Sequence, residues 1–226
     1  MKKILLIVTI LISTFVFAQN MQLHYDIYRE HFTTTLEMFK PDATGSTFWF
    51  VDIDYNDNSN EVKENRQSSS SAYWEIVRMF HTPFKDITVG LQYNDGHNIL
   101  GGFGSVYFLG VGYPIDLIFV TLNTFVWYRA AESQDPNVQF TIVWFKPLLD
   151  GKLIFQGFFD LWGQNNADFD DDGADSQFVI LTEPQLWYGL TEKIQIGGEV
   201  EISKNFIFGV GSDFNVKPTL GLNWIF

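Results

Sequence analysis

Acidic and flat aromatic side chains recur at every second position in several stretches of this 226-residue chain. Phe48, Phe50, Asp52 and Asp54 make one run. Tyr73 with Glu75, Trp127 with Arg129, and Phe158, Asp160 and Trp162 make others. Glu183, Gln185 and Trp187, then Glu199 and Glu201, complete the series, and Glu37 stands alone. A carboxylate accepts hydrogen bonds from hydroxyl groups, each contributing about 1.5–3 kcal/mol gross. An aromatic face stacks on a planar ring for about 1–3 kcal/mol. The combination suits weak, multi-site contact with a passing solute rather than bond making. Enzymatic readings need a nucleophile–base or carboxylate–histidine site. The four histidines, His24, His31, His81 and His97, stand in no recognisable catalytic or metal-binding motif. The residues therefore predict no enzyme, no cofactor and no metal centre.

A period of two belongs to extended strands, whose side chains alternate between two faces. The last ten residues show what the other face is for. Pro218, Leu220, Leu222, Trp224 and Phe226 share one face, against Lys217, Thr219, Gly221 and Asn223; Ile225 is the misfit. Chain ends are normally frayed and polar. An apolar terminal strand is explained if it closes a barrel with that face toward lipid; a C-terminal strand in a soluble sandwich is the competing reading. Aromatics make up 17% of the chain, enough to furnish a lipid-facing wall with interfacial girdles.

Residues 19–226 read as strands over 22–28, 32–39, 47–55, 72–80, 86–94, 99–112, 117–130, 137–147, 152–163, 178–189, 194–203 and 217–226. Tight connections (Lys40–Ser46, His81–Lys85, Tyr113–Asp116, Leu148–Gly151, Leu190–Lys193) alternate with longer ones (Asn56–Ser71, Ala131–Pro136, Gln164–Gln177, Lys204–Val216). Compact Asp95–Asn98 is the exception. Sorting by parity is the mark of a barrel with periplasmic turns at one rim and extracellular loops at the other. The predicted fold is all-β: a single antiparallel transmembrane β-barrel of about 12 strands, with 10 the alternative.

Residues 1–18 read as a signal peptide: basic Lys2 and Lys3, an apolar stretch from Ile4 to Phe17, and small Ala18 before the cut. That stretch is short of the roughly 20 residues a membrane helix needs. The expected location is the outer membrane. With no cysteine in the chain, lipoprotein processing, disulfides and thiol chemistry are excluded. The formal charge of −13, or −15 once Lys2 and Lys3 are lost, argues against nucleic acid and favours neutral or cationic solutes.

Several segments carry a family resemblance: Gln22–Asp26, Glu37–Asp42 followed by Gly45–Tyr55, and Ala72–Ile76. Gly151–Trp162, Glu183–Tyr188, Glu199–Ser203 and the terminal Pro218–Phe226 belong with them. Together they resemble an uncharacterised branch of the Tsx-like nucleoside-channel superfamily. The resemblance implies a narrow, monomeric, 12-stranded barrel for passive diffusion, with nucleosides as the leading solutes. Phe50, Asp52, Glu75, Trp127, Arg129, Phe158, Trp162, Glu183 and Trp187 are the expected solute-contacting residues on the inner face. Outer-membrane lipid and a small solute in the lumen are the expected partners. The competing reading is a non-conducting scaffold or accessory barrel whose inner residues are packing, with Arg129 paired to Glu37 or Glu75. Asp168–Gly173 spells the start of a calcium loop but has Val179 where the bidentate Glu belongs. A solvated extracellular loop fits it better.

Overall fold

The computed structural model describes residues 18–55, 69–132, 134–165, 176–206 and 214–226. They form one closed antiparallel barrel of 12 strands. β1 (Ala18–Asp26), β2 (His31–Asp42), β3 (Gly45–Tyr55) and β4 (Ser69–His81) lead into β5 (Thr88–Asn98) and β6 (Val106–Asp116). β7 (Thr121–Ala131), β8 (Asn137–Leu148) and β9 (Leu153–Asn165) follow. β10 comes in two pieces, Ser176–Thr182 and Gln185–Gly189, before β11 (Ile194–Lys204) and β12 (Asn215–Ile225). Each strand pairs with the next, and β12 pairs back onto β1, from Asn20 opposite Ile225 to Asp26 opposite Thr219. Among the described residues the sheet closes on itself with no edge strand, as a chain in hydrocarbon requires. No described helix is long and apolar enough to cross a membrane.

The two faces of each strand explain why these residues are extended. Along β6, Tyr107, Leu109, Val111, Tyr113 and Ile115 are exposed on the outer wall, while Phe108, Gly110 and Gly112 are buried inside. β12 repeats the pattern with Leu220, Leu222, Trp224 and Phe226 outside and Lys217, Thr219 and Asn223 buried inside. An exposed apolar band of this kind is a liability in water and the normal surface of a membrane barrel. Paired aromatics mark both ends of the outer wall. Trp224 and Phe226 stand 5.2 Å apart at the periplasmic end. Tyr25 with Phe32 and Tyr93 with Tyr107, each 5.1 Å apart, stand toward the other. The location is the outer membrane.

The structure departs furthest from the sequence reading at three places. β6 continues through Pro114 to Asp116, so the turn is at 117–120 rather than Tyr113–Asp116. Pairing with β5 ends at Gly112, so Pro114 lies where one edge of β6 has no neighbour and its missing N–H costs nothing there. Asp95–Asn98 is strand, not connection; the connection is 99–105, stitched by Gly101–Gly102 pairing to His97 and Asn98. The compact outer connection thereby moves to 99–105 and lengthens, and 12 strands displace the alternative of 10. Finally, 178–189 is interrupted at Glu183–Pro184 without a change of register. Residues 1–17 and the acidic loop Asp168–Gly173 lie outside the described residues.

Candidate functional site

All nine expected solute-contacting residues face the lumen, because strand pairing keeps them in register with one another. Phe50 sits opposite Glu37 and Glu75, and Asp52 opposite Thr35 and Tyr73. Trp127 lies opposite Gln139, which in turn meets Trp162. Glu183 and Trp187 lie on either side of Gln185, which faces Glu199.

The inner face then divides by accessibility. On one side Trp127 is 1% exposed, stacked on Phe125 at 5.6 Å and edge-on to Phe108 at 6.1 Å, with Met79 completing the cluster. Its neighbour in the wall is Gly110, where a Cβ would come within 2.3 Å of the indole. Arg129, 9% exposed, lies over the Trp162 ring at 5.5 Å. Among the described residues it makes no ion pair with Glu37 or Glu75, and its Nη1 has no hydrogen-bond partner. On the other side Trp187 is 0% exposed, edge-on to His24 at 5.4 Å, its Nε1 donating to Gln185 at 3.0 Å. His24 bridges Gln22 and Thr219, each at 2.9 Å. Beyond it toward the outer mouth, Arg29 from the β1–β2 turn donates to Asp26 at 2.5 Å and Glu201 at 3.0 Å, with Lys217 at 3.9 Å from Glu201. These two packed walls hold Trp127, Trp162 and Trp187 away from any solute. Stacking on those three rings, as read from the sequence, is not available in this arrangement.

Between the walls runs a strip of side chains that keep part of their surface accessible: Glu37, Phe48, Phe50, Asp52, Tyr73, Glu75, Phe158, Asp160, Glu183 and Glu199. Most of its carboxylates are held from the wall. Asn20 donates to Glu37 at 3.0 Å and Thr35 to Asp52 at 2.5 Å. Glu75 accepts from Tyr73 at 2.6 Å and Asn94 at 2.7 Å. Gln185 donates to Glu199 at 3.0 Å, and Thr141 to Asp160. Asp52 on β3, Glu75 on β4, Asp160 on β9, Glu183 at the break in β10 and Glu199 on β11 thus lie on strands spread around the barrel. The result is an acidic ring around the lumen, with acceptor capacity turned inward and hydrogen-bond donors behind it. No group of His, Asp or Glu among the described residues is arranged to hold a metal ion.

Sequence reasoning missed Gln22, His24, Asp26 and Arg29, and it missed Phe103 entirely. The polar alternation Gln22, His24, Asp26 was visible; the inward fold of the loop carrying Phe103 was not.

A closed 12-stranded barrel with an outer apolar band and a charged, partly accessible lumen defines a small outer-membrane barrel. The chain belongs to the family described as a domain of unknown function, DUF5020, whose model matches residues 18–226. No curated protein matches it in sequence. Among solved structures it is similar to the NanC porin (10% identity, 92% of this chain and 99% of that one, TM-score 0.59). It is similar also to outer membrane phospholipase A from Escherichia coli (11% identity, 93% and 98%, TM-score 0.56). The KdgM porin is a third (9% identity, 92% and 99%, TM-score 0.52). At such identities the likeness is one of fold, and that fold carries both porins and an enzyme.

Proposed function

We propose that this protein is a passive diffusion channel of the outer membrane for small neutral or cationic solutes, nucleosides among them. The observation that carries the reading is the acidic ring: six carboxylates around a narrow lumen, each with accessible surface and most with a donor fixing it from the wall. Such a ring concentrates cations and repels anions. Its acceptors also suit the hydroxyls of an uncharged polyol. The resemblance to Tsx-like channels supports nucleosides by analogy. On this reading the barrel acts as a monomer in lipid.

The test is single-channel current from purified protein in a planar bilayer, with reversal potential measured across a potassium chloride gradient. Discrete openings with cation preference are expected. A second reading is favoured by the Asp26–Arg29–Glu201–Lys217 network, which draws the β1–β2 turn inward at the outer mouth. On that reading the barrel is closed and serves as a scaffold or accessory subunit. A folded but silent barrel would select it.

A further inference from the structure

The lipid-facing wall is hollowed over β10, β11 and β12. Leu186, Tyr188, Ile196 and Leu220 are exposed there around a groove of about 440 Å³, floored by Gly197 and Gly221. Gly198, in register with Leu186, puts no side chain on this row, so the wall dips between its neighbours. A chain that enters such a dip gains contact on three sides, whereas one passing over a smooth wall gains it on one.

Beside the groove stands a cation. Leu186 is in register with Phe155, and Phe155 with Lys146 on β8. Two strand spacings, about 10 Å, separate Lys146 from Leu186. Lys146 shares the outer face of β8 with Trp144, whose ring lies 5.8 Å from that of Phe155. Among the described residues Lys146 has no ion-pair or hydrogen-bond partner, whereas Arg78, on the lipid face of β4, is held by Asp42 at 2.6 Å. A lysine so placed lays its stem on the wall and extends its charge to the interface.

The row also slopes. Lys146 lies two residues from the periplasmic end of β8, and Leu186 three from that of β10. Gly198 lies four from the end of β11 and Leu220 five from that of β12. The track therefore runs from the rim into the apolar band, as a phospholipid does from headgroup to acyl chain.

We infer that the groove binds one anionic glycerophospholipid of the periplasmic leaflet, its phosphate on Lys146 and one acyl chain between Leu186 and Leu220. The site stands whether or not the lumen conducts. Native mass spectrometry of the purified barrel released from micelles tests it, with phosphatidylglycerol and phosphatidylcholine as probes. Wild type should retain one phosphatidylglycerol, about fivefold more tightly than phosphatidylcholine, as one lysine–phosphate contact predicts. Lys146→Gln should remove that preference. Leu220→Trp fills the groove with the lysine in place and should abolish retention. Leu91→Trp, on the far side of the apolar band, should retain lipid as wild type does, and heat-shifted migration on gels checks that each variant is folded. Equal retention of the two lipids by wild type, or none, would overturn the site. So would a preference undiminished in K146Q or retention undiminished in L220W. A dimer present in wild type and lost in L220W would give the groove to a second copy of the chain instead.

Discussion

Trp127 and Trp187 are both sealed inside the barrel, yet the two walls treat them in opposite ways. Trp127 lies in an apolar cluster of Phe108, Phe125 and Met79, and its Nε1 has no hydrogen-bond partner. Trp187 lies among His24, Gln185 and Gly221, and its Nε1 is bonded. A buried donor without a partner has given up its hydration for nothing, whereas a bonded one recovers most of it. The apolar wall gains its stability from ring packing; the polar wall gains part of it from a connected set of hydrogen bonds. Both are scaffolds that hold the accessible strip between them.

The comparison can be broken outright by truncation. Trp127→Ala should destabilise the barrel by about 3–5 kcal/mol through lost packing and the cavity left behind. Urea unfolding of protein folded into lipid vesicles would read this, with Trp187→Ala as the parallel case. Next in size, Gly110→Val drives a side chain into the Trp127 ring and should cost about 1–3 kcal/mol in the same assay. A finer cut comes from replacing each indole by phenylalanine. Both variants lose volume, but only Trp187→Phe discards a formed hydrogen bond, so it should cost about 1 kcal/mol more than Trp127→Phe. Smallest in energy is Glu183→Gln in the strip between the walls. It should leave unfolding nearly unchanged while reducing cation preference, seen as a reversal potential moved toward zero.

How far the sequence foretold these walls depended on how local the information was. The lipid face of β12 was legible because alternation is a property of neighbouring residues. The same alternation placed Phe50, Asp52, Glu75, Trp127, Arg129, Phe158, Trp162, Glu183 and Trp187 on the inner face. Asp95 and His97 misled, since polar residues suggest a loop. They face outward past Val89 and Leu91, and Asp95 is satisfied there by Tyr93 at 2.5 Å and Ser105 at 3.1 Å. Pro114 misled because its tolerance depends on where β5 stops. The burial of the tryptophans was not legible at all. It requires glycines on other strands, Gly110 on the strand next to Trp127 and Gly221 two strands from Trp187, and that meeting exists only once the sheet has formed. The accessible aromatic surface of the lumen accordingly belongs to Phe48, Phe50, Tyr73 and Phe158 rather than to the tryptophans.

The seam between β1 and β12 joins the two ends of the chain, with residues such as Tyr25 and Leu220 side by side. Every other strand pairs with a near neighbour in sequence, so assembly can proceed hairpin by hairpin. The seam cannot form until the last strand has been made and delivered. Through that interval β1 and its growing partner each expose a row of free backbone donors and acceptors, the state most prone to pairing with another chain. Nascent barrels would therefore be at greatest risk between synthesis and insertion, and a missing or mispaired C-terminal strand would leave the whole wall open.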